Sequence, residues 1–321
     1  MSHLVESMAY VGEMPWHELG NELTPGQPLE VWAEQSGLDW EIKRAPVCFN
    51  AGTQPNQINI HSFEDKQVLY RSDTMAPLSV VGQRYNVVQP SEILEFYRDL
   101  TEKSGFELET AGVLKGGKKI WALARTGQAS TLAGNDVTKG YVLLATACDG
   151  SMATTAQFTS VRVVCNNTLA VSIGQEKDVA VKVPHSTKFD ADAVKNSLGI
   201  SVSAWDDFMY RMKVLSERKI KHSEASQFFH NVFNDPDKIT SSVKANERTI
   251  AKVASLYEGN GRGSQLASAK NTAFGLLNSV TEFIDHERRA KNADYRMDSA
   301  WFGQGAGLKQ RALDHALALV S

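Results

Sequence analysis

The sequence predicts an α+β protein in which an antiparallel sheet of β-hairpins with a packed helix is followed by an all-helical C-terminal region. Residues 106–126 and 139–161 contain apolar runs joined by glycine turns, which is typical of hairpins. From Asp190 onwards the apolar residues recur every three or four positions, which is typical of amphipathic helices. We therefore expect an N-terminal arm with a short helix (1–45), a hairpin-rich core (46–189) and a helical region (190–321).

The first hundred residues carry helix and strand signals separated by glycine and proline. Residues 11–29 are rich in both and predict an extended arm with turns. A short helix over Leu29–Ser36 is expected to end at Gly37, and WEIKRAPVCF predicts a strand that Pro46 breaks. After the apolar runs QVLYRSD and LSVVG, the segment QPSEILEFYRDLTEKSG predicts a helix with Ser91 as its N-cap and Gly105 as its stop.

Two hairpins are predicted in the middle of the chain. The tip of the first is the segment Lys115–Lys119, KGGKK. The second joins KGYVLLATAC to SMATTAQFTSV at Asp149 and Gly150, a dipeptide favoured where both turn residues need a positive φ. Its first strand is apolar on both faces and is therefore expected to lie in the centre of the sheet.

Helices are predicted for most of the chain beyond Asp190. The longest spans residues 190–219, with Gly199 as a weak point. One face of it carries Val194, Leu198, Val202, Trp205, Phe208, Met209, Met212 and Leu215. Further helices are expected over residues 224–233, 245–257, 269–289 and 308–319.

Composition indicates a globular protein of the cytoplasm. The chain of 321 residues is 42% hydrophobic, and we find neither an apolar run of about 20 residues nor the pattern of a signal peptide at MSHLVESMAY. Cys48, Cys148 and Cys165 lack CxxC spacing, so buried thiols are expected rather than disulfides or a zinc site.

The net charge of −3 is unevenly distributed along the chain. Residues 1–100 hold 6 basic and 14 acidic residues, whereas residues 115–188 hold nine basic and four acidic ones. A polyanion is therefore expected to bind the middle of the chain, through a local groove rather than through a strongly basic domain. The alternative is a solvated strand face that carries scattered lysines.

Motifs for catalysis are not found. GRGS at Gly261–Ser264 lacks the lysine and preceding strand of a phosphate loop, and the histidines form no HExxH motif. We expect no catalytic residue, no metal and no cofactor. A metal-dependent nuclease stays open as an alternative, with Glu107 or Glu109 acting beside a hairpin lysine.

The segment TSVRVVCNNTLA is the most informative stretch. Arg162 lies between two valines, so it is either paired in the interior or presents its guanidinium to a phosphate in a cleft. We favour the phosphate. Asn166 and Asn167 are interpreted as capping residues of the turn that follows.

The order of several segments resembles a known family. PWHELG, SGLDWEI, RSDTMAPLSVVGQRYNVVQPSEI, ETAGVLKGGKKIWALA, CDGSMATTAQFTSVRVVCNNTLA, VPHSTKF, NSVTEFIDHERR and FGQGAGLKQRALDHAL are similar to the ordered blocks of the phage/plasmid-like protein family, defined by a domain of unknown function (family 932). The resemblance runs from about residue 15 to the C-terminus. It implies a mobile-element protein in the cytoplasm of a bacterial host.

A looser resemblance, in architecture, suggests a mechanism. A sheet of hairpins followed by helices is similar to the phage single-strand annealing proteins of the Red-beta, RecT and Rad fifty-two-like group. The resemblance implies homologous recombination by a homo-oligomer, a ring or helical filament, which holds single-stranded DNA and the annealed duplex intermediate in a basic groove. A phage exonuclease and a host single-strand binding protein are further expected partners, and no membrane is involved.

On this hypothesis basic side chains line the groove and neutralise the DNA backbone. The expected DNA-binding residues are Arg162, Lys115, Lys118, Lys119, Lys139, Arg125, Arg84, Lys182 and Lys188. Tyr85 is a further candidate, while Trp121, Tyr141 and Phe158 either stack on bases or belong to the core. The alternative from another class is a non-catalytic factor that binds a host protein, as an anti-defence or regulatory protein, through the acidic first third of the chain.

Overall fold

The computed structural model describes residues 5–12, 20–54, 57–162, 164, 167–170, 180–198, 202–233, 247–291 and 293–321. The strands are β1 (Val5–Val11), β2 (Asn21–Leu23), β3 (Ile42–Asn50), β4 (Ile60–Arg71), β5 (Pro77–Gly82), β6 (Glu107–Leu114), β7 (Lys119–Leu132), β8 (Asp136–Ala147), β9 (Thr154–Arg162), β10 (Asn167–Ala170) and β11 (Ala180–Val183). The helices are α1 (Leu29–Ser36), α2 (Pro90–Ser104), α3 (Ala191–Leu198), α4 (Val202–Glu217), α5 (His222–Phe233), α6 (Glu247–Ser255), α7 (Ala273–Glu282), α8 (Ala293–Phe302) and α9 (Gln304–Ala318). The predicted α+β class is confirmed.

The described chain forms two compact units. The first contains the described parts of residues 1–126, 142–157 and 180–199, and the second contains those of 127–141, 158–179 and 200–321. Strands β7, β8 and β9 each contribute one end to the first unit and the other end to the second.

In the first unit the larger sheet is built mainly from hairpins. The order is β9-β8-β7-β6-β1-β2, with β11 antiparallel to β9 and β2 parallel to β1. Residues 142–147 of β8 are all buried between β7 and β9, which agrees with the central position predicted from their apolar run. No helix in the described part of the chain is both long and apolar enough to cross a membrane.

The turn of the first predicted hairpin requires glycine. Lys115, Gly116 and Gly117 all have positive φ, and a Cβ on Gly117 would lie 3.1 Å from the side chains of Arg71 and Trp40. Lys119, which the sequence placed at the tip, instead pairs with Leu114 in the ladder and is 5% exposed. The turn is therefore one residue shorter than predicted, because the ladder already starts at Lys119.

The second hairpin has a longer connection than a dipeptide turn. Six residues, 148–153, link β8 to β9, and only Gly150 adopts a positive φ. The expectation of a positive φ at Asp149 is wrong, because its carboxylate instead accepts a hydrogen bond from the amide of Ser151 and forms a local turn. A third hairpin, which the sequence reading missed, joins β7 to β8 in the second unit through Gly134 and Asn135, both with positive φ.

Helix α2 packs against the sheet of the first unit. Its N-cap is Gln89 rather than the predicted Ser91, because Gln89 and Glu92 form a reciprocal capping box and Pro90 takes the first helical position. Its end at Gly105, in the left-handed region, is confirmed, as is the end of α1 at Gly37. The hydroxyl of Tyr97 lies 2.7 Å from the carbonyl oxygen of Ala122 on β7 and 3.1 Å from that of Val142 on β8.

The smaller sheet of the first unit has the order β3-β4-β5. The strand does not break at Pro46 as predicted, but its register shifts there. Pro46 pairs with Gln67 while Val47 pairs with Phe63, so residues 64–66 of β4 have no partner on β3. Proline lacks the N–H that the ladder needs, and a bulge accommodates it.

The second unit is mainly helical and is built around α7. Every residue of Ala273–Glu282 is buried, and Thr272 caps the helix by accepting a hydrogen bond from Gly275. The predicted helix over residues 190–219 is two helices, α3 and α4, and the proposed weak point at Gly199 lies outside the described residues. Helix α8 was not predicted, and α6 and α7 end earlier than expected because π-helical turns at 256–260 and 283–287 follow them. Helix α7 also begins at Ala273 rather than at residue 269, because Thr272 caps it. The predicted stripe is confirmed as buried for Val194, Leu198, Trp205, Phe208, Met209, Met212 and Leu215.

The hydrogen bond of Tyr97 provides a test of how α2 is held on the sheet. We expect Tyr97→Phe to lower the free energy of unfolding by about 1 kcal/mol, because the buried carbonyl oxygens of Ala122 and Val142 lose a hydrogen-bond donor while the ring is kept. Tyr210→Phe is the matched control, since Tyr210 is 68% exposed, and it should leave the free energy of unfolding unchanged. Equal urea midpoints for the two variants would contradict the packing described for α2.

Candidate functional site

Four segments of the first unit meet where β8 ends, and we call residues 82–86, 115–118, 148–152 and 182–188 the cationic loop end. The amide of Cys148 donates to the carbonyl oxygen of Lys118 at 2.9 Å, which joins the two hairpin turns. The hydroxyl of Tyr85 donates to the carbonyl oxygen of Ala147 at 2.8 Å, and the amide of Asn86 donates to that of His185 at 2.6 Å. Segments far apart in the sequence are thus held together by hydrogen bonds to backbone carbonyl oxygens.

A stacked pair of rings forms the centre of the cationic loop end. Tyr85 and His185 have ring centroids 4.5 Å apart and planes inclined by 15°. The two ring nitrogens of His185 lie 2.9 Å from the carbonyl oxygen of Asn86 and 3.2 Å from that of Met152. A neutral imidazole has one N–H and satisfies one of these acceptors, whereas an imidazolium satisfies both. Burial, followed by the nearby Cys148 and Asp149, raises the pKa of the Tyr85 phenol, which keeps it a neutral donor.

Five of the predicted DNA-binding residues lie on these segments. These residues, whose side chains are exposed or half-buried, are Arg84, Lys115, Lys118, Lys182 and Lys188. The structure adds Arg44 on β3, which the sequence did not suggest and whose guanidinium donates to the carbonyl oxygen of Tyr85 at 3.0 Å. Asp149 is the acid within these segments and accepts a hydrogen bond from the amide of Ser151, while Asp73 forms an ion pair with Arg71.

The structure does not bring the other four predicted residues to the cationic loop end. Lys119 is buried in β7, and Arg125 binds Glu109 at 2.6 Å and approaches Glu107 at 4.0 Å. Lys139 and Arg162 belong to the second unit. The two carboxylates considered for a nuclease are therefore engaged by an arginine. Across the described residues no group of three or more potential metal ligands is found.

Arg162 is paired in the interior of the second unit, which is the first of the two alternatives considered for it. Its guanidinium binds the carboxylate of Asp136 at 2.7 and 2.8 Å, and the two side chains are 4% and 0% exposed. It also donates to the carbonyl oxygen of Gly263, and Ser268 donates to Asp136 at 2.6 Å. A guanidinium held this way is not available to a phosphate from solvent.

A second buried ion pair ties β10 to two helical segments. Lys309 on α9 pairs with Asp285, and its ammonium donates to the hydroxyl and carbonyl oxygens of Thr168 at 2.7 and 3.0 Å. Asp285 also accepts from the amide of Thr168 at 2.8 Å. Burial lowers the pKa of Lys309, and the charge of Asp285 opposes this shift.

A small cavity with a mixed, mostly apolar lining lies beside these pairs in the second unit. Its volume is about 20 Å³, and its lining includes Ser160, Arg162, Asn167 and Asn278. The Oδ1 atom of Asn167 is buried and has no hydrogen-bond partner within the described chain. A space of this size holds about one water molecule, so the cavity suits a structural water rather than a substrate.

The remaining aromatic and thiol candidates belong mainly to the core. Trp121, Tyr141 and Phe158 are each 2% exposed, so they are core residues and not stacking surfaces. Cys148 is buried, and burial raises the pKa of its thiol to about 12. Cys48 is exposed, contrary to the expectation of buried thiols, because it lies beyond the bulge of β3, while Cys165 falls outside the described residues.

Comparison with known proteins identifies the family. Residues 77–301 match the family described as Domain of unknown function (DUF932), and this stretch is more than two thirds of the chain. The chain belongs to the DUF932 family. No curated protein and no solved structure matches the sequence. The DUF932 match extends from β5 to α8 and contains the whole cationic loop end and the Asp136–Arg162 pair, whereas β3 and β4 precede it.

The Asp136–Arg162 pair predicts a large difference between single and double substitution. Asp136→Ala leaves a buried guanidinium unpaired and should lower the free energy of unfolding by about 3–5 kcal/mol. The double substitution Asp136→Leu with Arg162→Met removes both charges and should cost much less, as measured by urea denaturation. A double variant as unstable as the single one would show that the loss is one of packing rather than of charge.

Glu282 on α7 predicts a dependence of stability on pH. Its two carboxylate oxygens accept from the amide of Arg262 at 3.0 Å, yet burial raises its pKa above 4.5. The folded state therefore holds this proton more tightly than the unfolded chain does, and that stabilisation is lost as the pH rises through the folded-state pKa. We expect the free energy of unfolding of the wild type, relative to Glu282→Gln, to decrease between about pH 4 and neutrality. A difference that stays constant in urea titrations across this range would contradict the assignment.

Proposed function

We propose that the chain binds single-stranded DNA at the cationic loop end and promotes the pairing of complementary strands. The observation that supports this proposal is the gathering of exposed and half-buried cations around the Tyr85–His185 stack in a chain whose net charge is −3. Phosphates are bound by lysine and arginine with release of counterions, and this term is independent of sequence. Annealing breaks and forms no covalent bond, so it needs a surface that holds a strand rather than a catalytic centre.

The geometry favours a single strand over a rigid duplex. The cations of the cationic loop end lie on turns and short segments at the end of a sheet, not on a helix that would fill a major groove. The rings at its centre offer an aromatic surface beside these cations. Such a combination of charges and rings is typical of proteins that bind single strands without sequence preference.

The proposal includes the biological role that the sequence led us to expect. On this view the chain acts in homologous recombination of phage or plasmid DNA, as a ring or helical filament, with an exonuclease and a host single-strand binding protein as partners. The DNA-binding set is narrowed to Arg44, Arg84, Lys115, Lys118, Lys182 and Lys188. Arg162 and Lys119 are omitted because both are buried.

A mobility shift with single-stranded oligonucleotides tests the proposal. Replacing Arg84, Lys115 and Lys118 with alanine should make the slope of log K against log salt shallower by about 2, since each lost contact with a single strand contributes about 0.7. Lys213→Ala, at an exposed lysine of α4 in the second unit, is the control and should leave the slope unchanged.

The same variants are then compared in an assay that follows annealing of complementary strands. The triple variant should lose acceleration of annealing while the control retains it. If the wild type gives no shift even at low salt, the proposal is wrong and the host-protein alternative, acting through the acidic first third of the chain, gains ground. Cleavage of the oligonucleotide in magnesium or manganese that Glu109→Ala abolishes would instead favour the nuclease.

A further inference from the structure

The outer half of the β3–β4 hairpin is a two-stranded ribbon, and we call Val47–Asn50 with Ile60–Phe63 the aromatic ribbon. Beyond the bulge at Pro46, β3 pairs with β4 alone, and β5 meets β4 only over the stretch Lys66–Tyr70. Every residue of the ribbon is exposed except Val47, which is half-buried. A ribbon of two strands is only marginally stable in water, so an apolar surface on it calls for a partner.

One face of the aromatic ribbon carries three rings. Val47 lies opposite Phe63, and Phe49 lies opposite His61, so these four side chains share a face. The rings of Phe49 and His61 are stacked with centroids 5.6 Å apart, and Phe49 and Phe63 are 52% and 49% exposed. The rings are therefore open to solvent and already arranged for stacking.

The charge of the aromatic ribbon favours bases over phosphates as its ligand. Residues 47–63 contain no lysine, arginine, aspartate or glutamate, in a first hundred residues that are otherwise strongly acidic. A neutral surface of rings neither attracts nor repels the DNA backbone. Every nucleobase has a π-face that stacks on an aromatic side chain, whatever the sequence.

The aromatic ribbon adjoins the cationic loop end. The side-chain amide of Gln83 donates to the carbonyl oxygen of Glu64 at 2.7 Å, so Phe63 and Arg84 each lie one residue from the same hydrogen bond. Arg44, at the base of the ribbon, donates to the carbonyl oxygen of Tyr85. A strand whose phosphates contact Arg84 and Arg44 thus lies near the ribbon, and the exposed carboxylates of Glu64 and Asp65 at this junction disfavour its phosphates there.

We propose that the aromatic ribbon is a stacking platform for unpaired nucleobases, on which the strand held at the cationic loop end continues. This inference rests on the proposed function and adds the part of the ligand that is recognised there. Stacking uses the face of a base and leaves its pairing edge open, which is what a strand awaiting its complement requires. The rings supply affinity without sequence preference.

Two double substitutions separate stacking from simple apolar contact. Phe49→Leu with Phe63→Leu keeps an apolar surface but removes two rings, whereas Phe49→Tyr with Phe63→Tyr keeps the rings. The probes are oligothymidine and an abasic strand of equal length and charge. The wild type and the tyrosine variant should bind oligothymidine about tenfold or more tightly than the abasic strand, and the leucine variant should lose this preference.

The salt slope distinguishes failure of this inference from failure of the proposed function. The leucine variant should keep the slope of the wild type, because no phosphate contact is removed. If the wild type binds neither strand, both proposals fall. If the wild type binds with a salt-dependent affinity but the leucine variant still prefers oligothymidine tenfold, the stacking platform alone is overturned. The assembly state of the free protein is measured by sedimentation. If the leucine variant loses its base preference together with a change of assembly state, the stacking platform is also overturned, and the ribbon is instead a contact with a second copy of the chain.

Discussion

The buried pair of Asp136 and Arg162 is the interaction on which the second unit depends. Two charges removed from water cost several kcal/mol each, and they are tolerated only when almost every lone pair and proton has a partner. Arg162 donates to Asp136 and Gly263, while Asp136 also accepts from Ser268, so the start of β8, the end of β9 and the turns before α7 are fixed together. Lys309 and Asp285 do the same for β10 and α9. In the first unit the Arg71–Asp73 pair is less deeply buried, since its carboxylate is 40% exposed.

The sequence predicts those parts of the fold whose signals are local. Glycine stops at Gly37 and Gly105, the apolar run of β8 and the helical stripe of α4 all have the structure that their spacing indicates. The predictions that are wrong depend on neighbours distant in the chain. Gln89 becomes the N-cap because its amide also bonds to Ile42 across the first unit, and Pro46 stays in a strand because β4 bulges opposite it. The turn at Gly134 and Asn135 had a local signal, which a reading centred on apolar runs overlooks.

The candidate site is less predictable, since a charged residue in a sequence does not reveal its partner. Arg125 and Glu109 lie on neighbouring strands and neutralise each other, although the sequence suggested separate roles for them. For Arg162 the sequence left open a buried ion pair or a contact with phosphate, and the choice depends on whether an acid lies opposite it. That acid, Asp136, is 26 residues away in the sequence, so the pairing could not be read locally. His185 stacks on Tyr85 across 100 residues of chain. The pairing that brings Phe49 and Phe63 to one face could not be predicted, because residues 64–66 of β4 shift the register between the two halves of the hairpin.

The uneven charge of the chain explains why two kinds of contact are needed for the proposed function. An acidic first third repels a polyanion at long range, and salt at physiological strength screens this repulsion beyond roughly 8 Å. The same screening weakens the attraction of Arg84, Lys115 and Lys118, so cations alone would hold a strand poorly in a chain of this composition. Stacking on rings depends little on salt. A neutral ribbon beside the cations would therefore add binding affinity that salt does not screen. On the proposed function, separating the backbone contacts from the base contacts in this way would also let the strand be held while its pairing edges stay exposed.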